Sequence, residues 1–473
     1  MRTILTVLFC FSVSTQGAND GRWIDPADPT IPVDFKYQGE YVGSLENGGK
    51  LGCQVVALGS GIFQAVIYAG GLPGAGWDGK SRSIMDGKLM GEKVSFTPAS
   101  GSRAHVAATR GREKNPSSTR VSLLTKFPPV GHKPCTAHIA RDVMIGQIDG
   151  APFRLKKTIR KSPTLGQKPP PGAIVLFDGS NMKEWTGGSI HKKFATLMPE
   201  PNNLMSKRKF NNYTVHLELM LPYQPTYRSQ DRGNSGFYQV HDYEIQVLDS
   251  FGMDGAHNEC GGIYSHKESD VNMCLPPLVW QTFDVEFTNA VKMKDGRFVK
   301  HAVITVRHNG VVIHDKFEIP GKSKYGTRSH LQLGNPGPFM LQNHREPLQF
   351  RNIWVLPHGP TPALPVSKPS KPKPAMKPVV PTTATAKAML GKWHIRFSNN
   401  GSKYVLNLKS DGTSHLARSG KAWDGVWVVK DGMLMVTNPH DAIWIKLMLK
   451  DGVYAGKNNF GSARLSRNEV PKF

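Results

Sequence analysis

Two proline-rich stretches set the first constraint on how this chain can fold. One is RKSPTLGQKPPPGA, Arg160 to Ala173; the other runs from about Pro357 to Thr385, with a proline at nearly every third or fourth position. Proline lacks an amide hydrogen and fixes φ, so both stretches are expected as extended, semi-rigid spacers with no core of their own. The pieces between them must each bury a core. At 473 residues the chain is too long for one ordinary core, and it divides into modules at 37–161, 174–356 and 386–468, with linkers at 162–173 and 357–385.

The start of the chain bears on compartment. Arg2, the apolar run ILTVLFCFSV and the small or polar STQGA read as a secretory signal over residues 1–18, because the apolar run is too short to span a bilayer. An uncleaved anchor is the alternative. No later segment approaches a spanning length, so a secreted or periplasmic protein without a transmembrane segment is expected. Four cysteines follow the signal: Cys53, Cys135, Cys260 and Cys274. An even set in an oxidising compartment suggests disulfides, most simply Cys53–Cys135 and Cys260–Cys274, with free buried thiols as the other reading. The net charge of +24 raises nucleic acid as a partner. The basic residues, however, are scattered along strands or gathered in linker sequence such as SKPSKPKPAMKP, with no basic helix. No nucleic acid is therefore expected, and the charge fits solubility or attraction to an anionic envelope surface.

All three modules read as β. In the first, CQVVAL and FQAVIYAG are strand-like runs joined across Gly59, Ser60 and Gly61. The same module contains GAGWDGKS, Gly74 to Ser81, which fits the phosphate-loop template. That loop needs a helix behind it, because helix N-terminal amides hold the phosphates. Here the next residues, RSIMDGKLMGEKVSFTP, are interrupted by glycines and then turn strand-like, so the segment reads as a surface loop pinned by Trp77. In the third module Asp-Gly pairs recur at 411–412, 431–432 and 451–452, between runs such as YVLNLK, VWVVK and WIKLMLK. Asp-Gly suits tight hairpins, so a small up-and-down barrel or meander with a structural or docking role is expected.

The middle module carries the chemistry. TVHLELML, NSGFYQV, YEIQVLD, WQTFDVEF and HAVITVRHNGVVI are strands with turns between them, which suggests a two-sheet jelly roll and a mainly-β fold for the whole chain. In YEIQVLDS, Glu244 and Gln246 share one face of a regular strand while Ile245 and Val247 share the other. A bulge at Val247–Leu248 would bring Asp249 onto the face of Glu244 and Gln246, where two carboxylates around an amide suit acid–base work on a sugar. A solvated strand face is the plainer reading. His257 and His266, near Glu259 and Asp270, match no metal motif and read as surface histidines; His308 and His314 flank an Asn-Gly hairpin and read as structural. No cofactor is required, and a divalent metal is left open.

Six segments, VLFDGSNMKEW, GNSGFYQVHDYEIQVLDSFG, CGGIYSHK, PPLVWQTFDVEF, ITVRHNGVVIHD and LQNHREPLQFRNIWV, together resemble the 3-keto-disaccharide hydrolase domain family of exported bacterial proteins. One position departs: the family usually has an aspartate before the histidine where this chain has Asn343. The resemblance implies a concanavalin-like jelly roll that cleaves glycosides or disaccharides already oxidised at carbon 3. A ketone there acidifies the carbon-2 hydrogen; a base removes it and the enolate expels the carbon-1 substituent. The roles this suggests are Glu244 or His344 as base and Arg232 as charge stabiliser, with Asn234, Gln246 and Gln342 as sugar ligands. Asp249 is either a second carboxylate or a clamp on the following loop, and Tyr264 and Trp280 either line the pocket or pack in the core. A separate oxidoreductase must supply the 3-keto substrate, because no dinucleotide-binding unit is visible. A noncatalytic carbohydrate-binding protein and a direct glycoside hydrolase using Glu244 and Asp249 are the alternatives.

Overall fold

The computed structural model describes residues 21–106, 111–112, 121–293, 298–324, 326, 333–359, 378–397, 403–418, 421–431, 433–437, 443–450, 453–458 and 461–467. The signal segment 1–18, most of the second linker, Gly432 and the Asp451-Gly452 turn lie outside these residues. The chain forms two compact units, Met1–Pro365 and Val366–Phe473.

The first unit opens with eight strands: Gly39–Leu45 (β1), Lys50–Gly59 (β2), Ile62–Ala69 (β3), Arg82–Met90 (β4), Lys93–Pro98 (β5), Cys135–Ala140 (β6), Val143–Ile148 (β7) and Ala151–Thr158 (β8). They close in sequence order, β1 pairing with both β2 and β8, into an up-and-down barrel that leaves no open edge. Alternation along the strands turns Tyr41, Val55, Phe63, Ile67, Met85, Phe96, Ile139, Phe153 and Leu155 into one buried cluster. The β2–β3 hairpin falls at the predicted turn, where Ser60 (φ 55°) and Gly61 (φ 73°) take left-handed backbone. GAGWDGKS lies in the β3–β4 connection and leads into a strand, so no helix terminus faces it. Gly76 allows a close backbone approach: a Cβ there would lie 2.6 Å from the Gly70 carbonyl oxygen. Trp77 Nε1 pins the loop by donating to the Ser81 carbonyl at 3.2 Å.

The rest of the first unit is a sandwich. Its central strands are Tyr213–Met220 (β9), Ser235–Gln239 (β10), Tyr243–Val247 (β11), Trp280–Thr288 (β12), Ala302–His308 (β13), Val311–Ile319 (β14), Met340–Leu341 (β15) and Gln349–Pro357 (β16). One sheet runs Ser189–His191, Thr196–Met198, β16, β9, β12, β13, β14, with Ile174–Phe177 also paired to β16; the other runs Trp185–Thr186, Leu204–Ser206, β15, β10, β11. Val215, Leu217, Phe283 and Val285 from the first sheet and Phe237, Ile245, Val247 and Leu341 from the second share one core. This is the two-sheet, mainly-β architecture expected of the middle module.

The expected disulfides are not formed. Cys53, Cys135, Cys260 and Cys274 are free and buried. Cys135 Sγ donates to the Lys133 carbonyl at 3.2 Å, and Cys274 Sγ faces the Leu248 and Leu275 carbonyls at 3.6 and 3.5 Å. Burial pushes the Cys53 and Cys274 thiols well up, so these groups pack as small apolar side chains.

The second unit is a closed barrel of eight strands in sequence order, from Gly391–Phe397 to Gly461–Ser466. Trp393, Ile395, Leu406, Trp427, Leu434 and Leu447 fill it. At the first Asp-Gly turn Gly412 has φ 80°, and Asp411 Oδ1 accepts from the Thr413 amide at 2.8 Å.

Candidate active site

The β10–β11 hairpin pairs Gly236 with Gln246 and Tyr238 with Glu244. Since Phe237, Ile245 and Val247 point into the sandwich core, the opposite face of the small sheet presents Tyr238, Glu244 and Gln246. Gly236 makes room for the carboxylate: a Cβ there would lie 2.3 Å from Glu244 Oε1. Glu244 is only 2% exposed, and its Oε2 has no hydrogen-bond partner. Burial pushes its carboxyl up to about 7, against a Tyr238 hydrogen bond and the His344 charge, which pull it down. Gln342 completes this edge, its amide donating toward Tyr238 Oη at 3.4 Å.

A second polar group adjoins the first. Asn234 Nδ2 donates to the Gln230 carbonyl at 2.7 Å, and Gln246 Nε2 donates to Gln230 Oε1 at 3.0 Å. Gln230 and Asp231 belong to the short turn of helix Ser229–Asp231. From the other side, His344 Nδ1 meets Glu346 Oε2 at 3.0 Å. The Glu346 hydrogen bond holds the imidazole pKa above its ordinary value, while burial raises that of Glu346 itself. Asp231, His344 and Glu346 each place one ligand atom within 4.8 Å of the others. Two carboxylates and an imidazole are a donor set that suits a divalent cation.

Several expected roles change. The ladder runs unbroken to Val247 and ends there, and the backbone then turns tightly, with the Ser250 amide donating to the Leu248 carbonyl at 2.9 Å. No bulge brings Asp249 beside Glu244. Asp249 instead accepts from Arg232 Nε at 2.5 Å, both side chains buried, so it is the clamp and not a second catalytic carboxylate. Arg232 pairs with Asp249 through Nε, its Nη1 donates to the Ala57 carbonyl of the barrel at 3.3 Å, and its buried Nη2 has no hydrogen-bond partner. The Glu346 contact favours the protonated form of His344. Trp280 lies on the outer face of the larger sheet, under the Arg351 guanidinium at 3.8 Å, because its neighbours Gln281 and Phe283 take the inward parity. Tyr264 stays beside the site through its backbone, donating to the Glu244 carbonyl at 3.0 Å, while its ring packs on His257.

The remaining histidines are structural. His266 Nε2 lies 3.1 Å from the Lys322 carbonyl, and the carboxylate of Glu259 accepts the Gly255 and Ala256 amides. His308 and His314 are buried, and desolvation drives them down to about 3 and about 4, so both are neutral in the fold.

The barrel holds the loop on which half of this site sits. Arg228 Nη2 donates to the Leu58 carbonyl at 2.7 Å, and Tyr227–Arg228 pairs with Gly111–Arg112 of the barrel's long β5–β6 connection. A Cβ on Gly59 would lie 2.6 Å from Thr226 Cγ2, so the β2–β3 turn presses directly on that loop. Gln230, Asp231, Tyr238 and Glu346 were not singled out in the sequence. Arg345, between His344 and Glu346, takes left-handed backbone (φ 79°), so strand alternation does not place those two side chains together.

Residues 172–356 match the family model described as the 3-keto-alpha-glucoside-1,2-lyase-like domain. This segment belongs to that family. It is also similar to a solved structure from Parabacteroides distasonis, named only as a candidate glycosyl hydrolase, at 31% identity over 39% of this chain and 84% of that one, with a TM-score of 0.37. A second structure of the same description and organism is 15% identical over 40% and 95% of the two chains, with a TM-score of 0.29. No curated protein matches the chain. The family makes this a carbohydrate-active protein. No helix among the described residues is long and apolar enough to cross a membrane.

Proposed function

We propose that this protein is exported and cleaves glycosides or disaccharides oxidised at carbon 3, with Glu244 as the base. The observation that carries this reading is the buried Glu244 carboxylate, with one free oxygen and a pKa of about 7, near a half-exposed histidine. Such a group is poised to take a proton near neutral pH. In the reaction Glu244 removes the carbon-2 proton, the electron pair moves into the ketone as an enolate, and the carbon-1–oxygen bond breaks with its pair leaving on the aglycone oxygen. His344, held protonated by Glu346, supplies the proton to that oxygen. Water then adds at carbon 1 and carbon 2 is reprotonated, giving net hydrolysis. Asn234, Gln246 and Gln342 supply amide groups for the sugar hydroxyls. Asp231, His344 and Glu346 could instead hold a divalent cation, which would supply positive charge for the enolate oxygen; His344 would then be a neutral ligand and the leaving oxygen would take its proton from water.

A direct glycosidase mechanism needs two carboxylates flanking one bond, and the commitment of Asp249 to Arg232 removes the partner that was expected for Glu244. Incubation of the full chain with a 3-keto-glucoside and with the unoxidised glucoside separates the readings. Turnover of the ketone alone is expected; turnover of both would restore ordinary hydrolysis, and binding without turnover would make the protein a lectin. Because the ionised form of Glu244 is the reactive one, kcat/KM should rise with pH through about 7. A profile flat from pH 5 to 8 would remove Glu244 from the role.

A further inference from the structure

We propose that a pocket between the barrel and the sandwich is a second binding site, for a small organic acid with an apolar body. The pocket has a volume of about 310 Å³ and is formed by β1, β8, the segment before β1 and the Pro276–Val279 turn. That lies near the lower end of ligand pockets, about 300–1,000 Å³. None of its residues belongs to the Glu244 site.

Three observations define what it would take. The first is an unanswered donor. Gln38 lines the pocket and is 3% exposed. Its Oε1 accepts the Ala57 amide at 3.0 Å, which fixes the orientation of the side-chain amide and leaves Nε2 as the free end, with no partner. A buried donor left unmade costs about 1–3 kcal/mol, so an acceptor atom is favoured there. The second is charge. Glu40 is the carboxylate in the wall, and Arg160 neutralises it through Nε at 2.7 Å and Nη2 at 2.5 Å. Lys36 and Lys157 are the other charged groups of the lining, with Asp142 acting on Lys157 from outside it. Lys157 Nζ donates to the Lys36 carbonyl at 2.6 Å, leaving two further ammonium hydrogens for a ligand, and burial lowers its pKa. Gly39, at φ 136°, gives this lysine its room: a Cβ there would lie 3.0 Å from Lys157 Cε. The third is the remaining wall. Apart from the Thr158 hydroxyl it is apolar: Phe35, Ile159, Pro276, Pro277 and Val279 offer no hydrogen-bonding side chain, and Ile159 is 69% exposed. Hydrogen-bond donors together with an apolar lining match a carboxylate carried on an aromatic or branched body.

Phenylacetate is a suitable probe, with 2-phenylethanol matching its body without the charge and acetate matching the charge without the body. Calorimetry on the full chain should give one-to-one binding of phenylacetate. Both controls should bind at least about tenfold more weakly, and Lys157→Met should lose about tenfold in affinity. In the wild-type protein, phenylacetate should also shield Lys157 from acetic anhydride, read by peptide mass spectrometry. That measurement decides the matter if the variant misfolds. The proposal is overturned if phenylacetate fails to bind at millimolar concentration, if 2-phenylethanol binds equally well, or if Lys157 is labelled at the same rate with and without phenylacetate.

Discussion

Glu244→Gln is expected to lower kcat/KM on a 3-keto-glucoside by about 10²–10⁴-fold, the range for a positioned general base. Glutamine keeps the shape and the Gly236 cradle but cannot take a proton. The same substitution should raise stability in alkaline solution. Burial holds the Glu244 carboxyl near 7, above its value in an unfolded chain, so the protonated form favours folding. That contribution is present in acid and is lost as pH rises through about 7. The variant should therefore melt above the wild type at pH 8, with little difference at pH 5. A fully active variant would place the base elsewhere, whereas an inactive variant that also melts early at pH 8 would point to damaged packing.

Asp249→Ala should be the most destabilising single change near the site, costing about 3–5 kcal/mol, because it strands a buried guanidinium. Arg232 is 6% exposed, and its Nη2 already lacks a partner. Thermal or urea unfolding measures the loss. The double change Arg232→Met, Asp249→Leu should recover much of it, since removing both charges removes the desolvation cost along with the attraction. A single variant within about 1 kcal/mol of wild type would mean the pair is not buried as a unit. The effect reaches the chemistry through Asn234 and Gln230, which follow and precede Arg232 on the loop braced against the barrel.

Much of the framework was legible because its signals are local. Alternating apolar residues and the turns at Gly59–Gly61 and Asp411-Gly412 needed no knowledge of distant contacts, and the strand after GAGWDGKS excluded a phosphate loop. Glu244 and Gln246 were placed together by strand parity alone. The errors share a physical cause. Trp280 is an aromatic on an alternating strand, and parity does not say which of two sheets, or which outer face, a strand belongs to. A bulge would bring Asp249 onto the Glu244 face, whereas the ladder ends at Val247 and Asp249 pairs with Arg232. Gln230 and Asp231 sit on a loop whose position is fixed by the barrel carbonyls of Ala57 and Leu58, residues far away in the chain, and no local pattern encodes that. An even cysteine count suits disulfides, but four free, buried thiols give the same count.

The most direct test follows carbon 2. With a 3-keto-glucoside turned over in heavy water, removal of that proton by Glu244 predicts deuterium at carbon 2 of the sugar released, or the 1,2-unsaturated ketone itself, and neither from Glu244→Gln. A sugar released with its original carbon-2 hydrogen in place would contradict the mechanism.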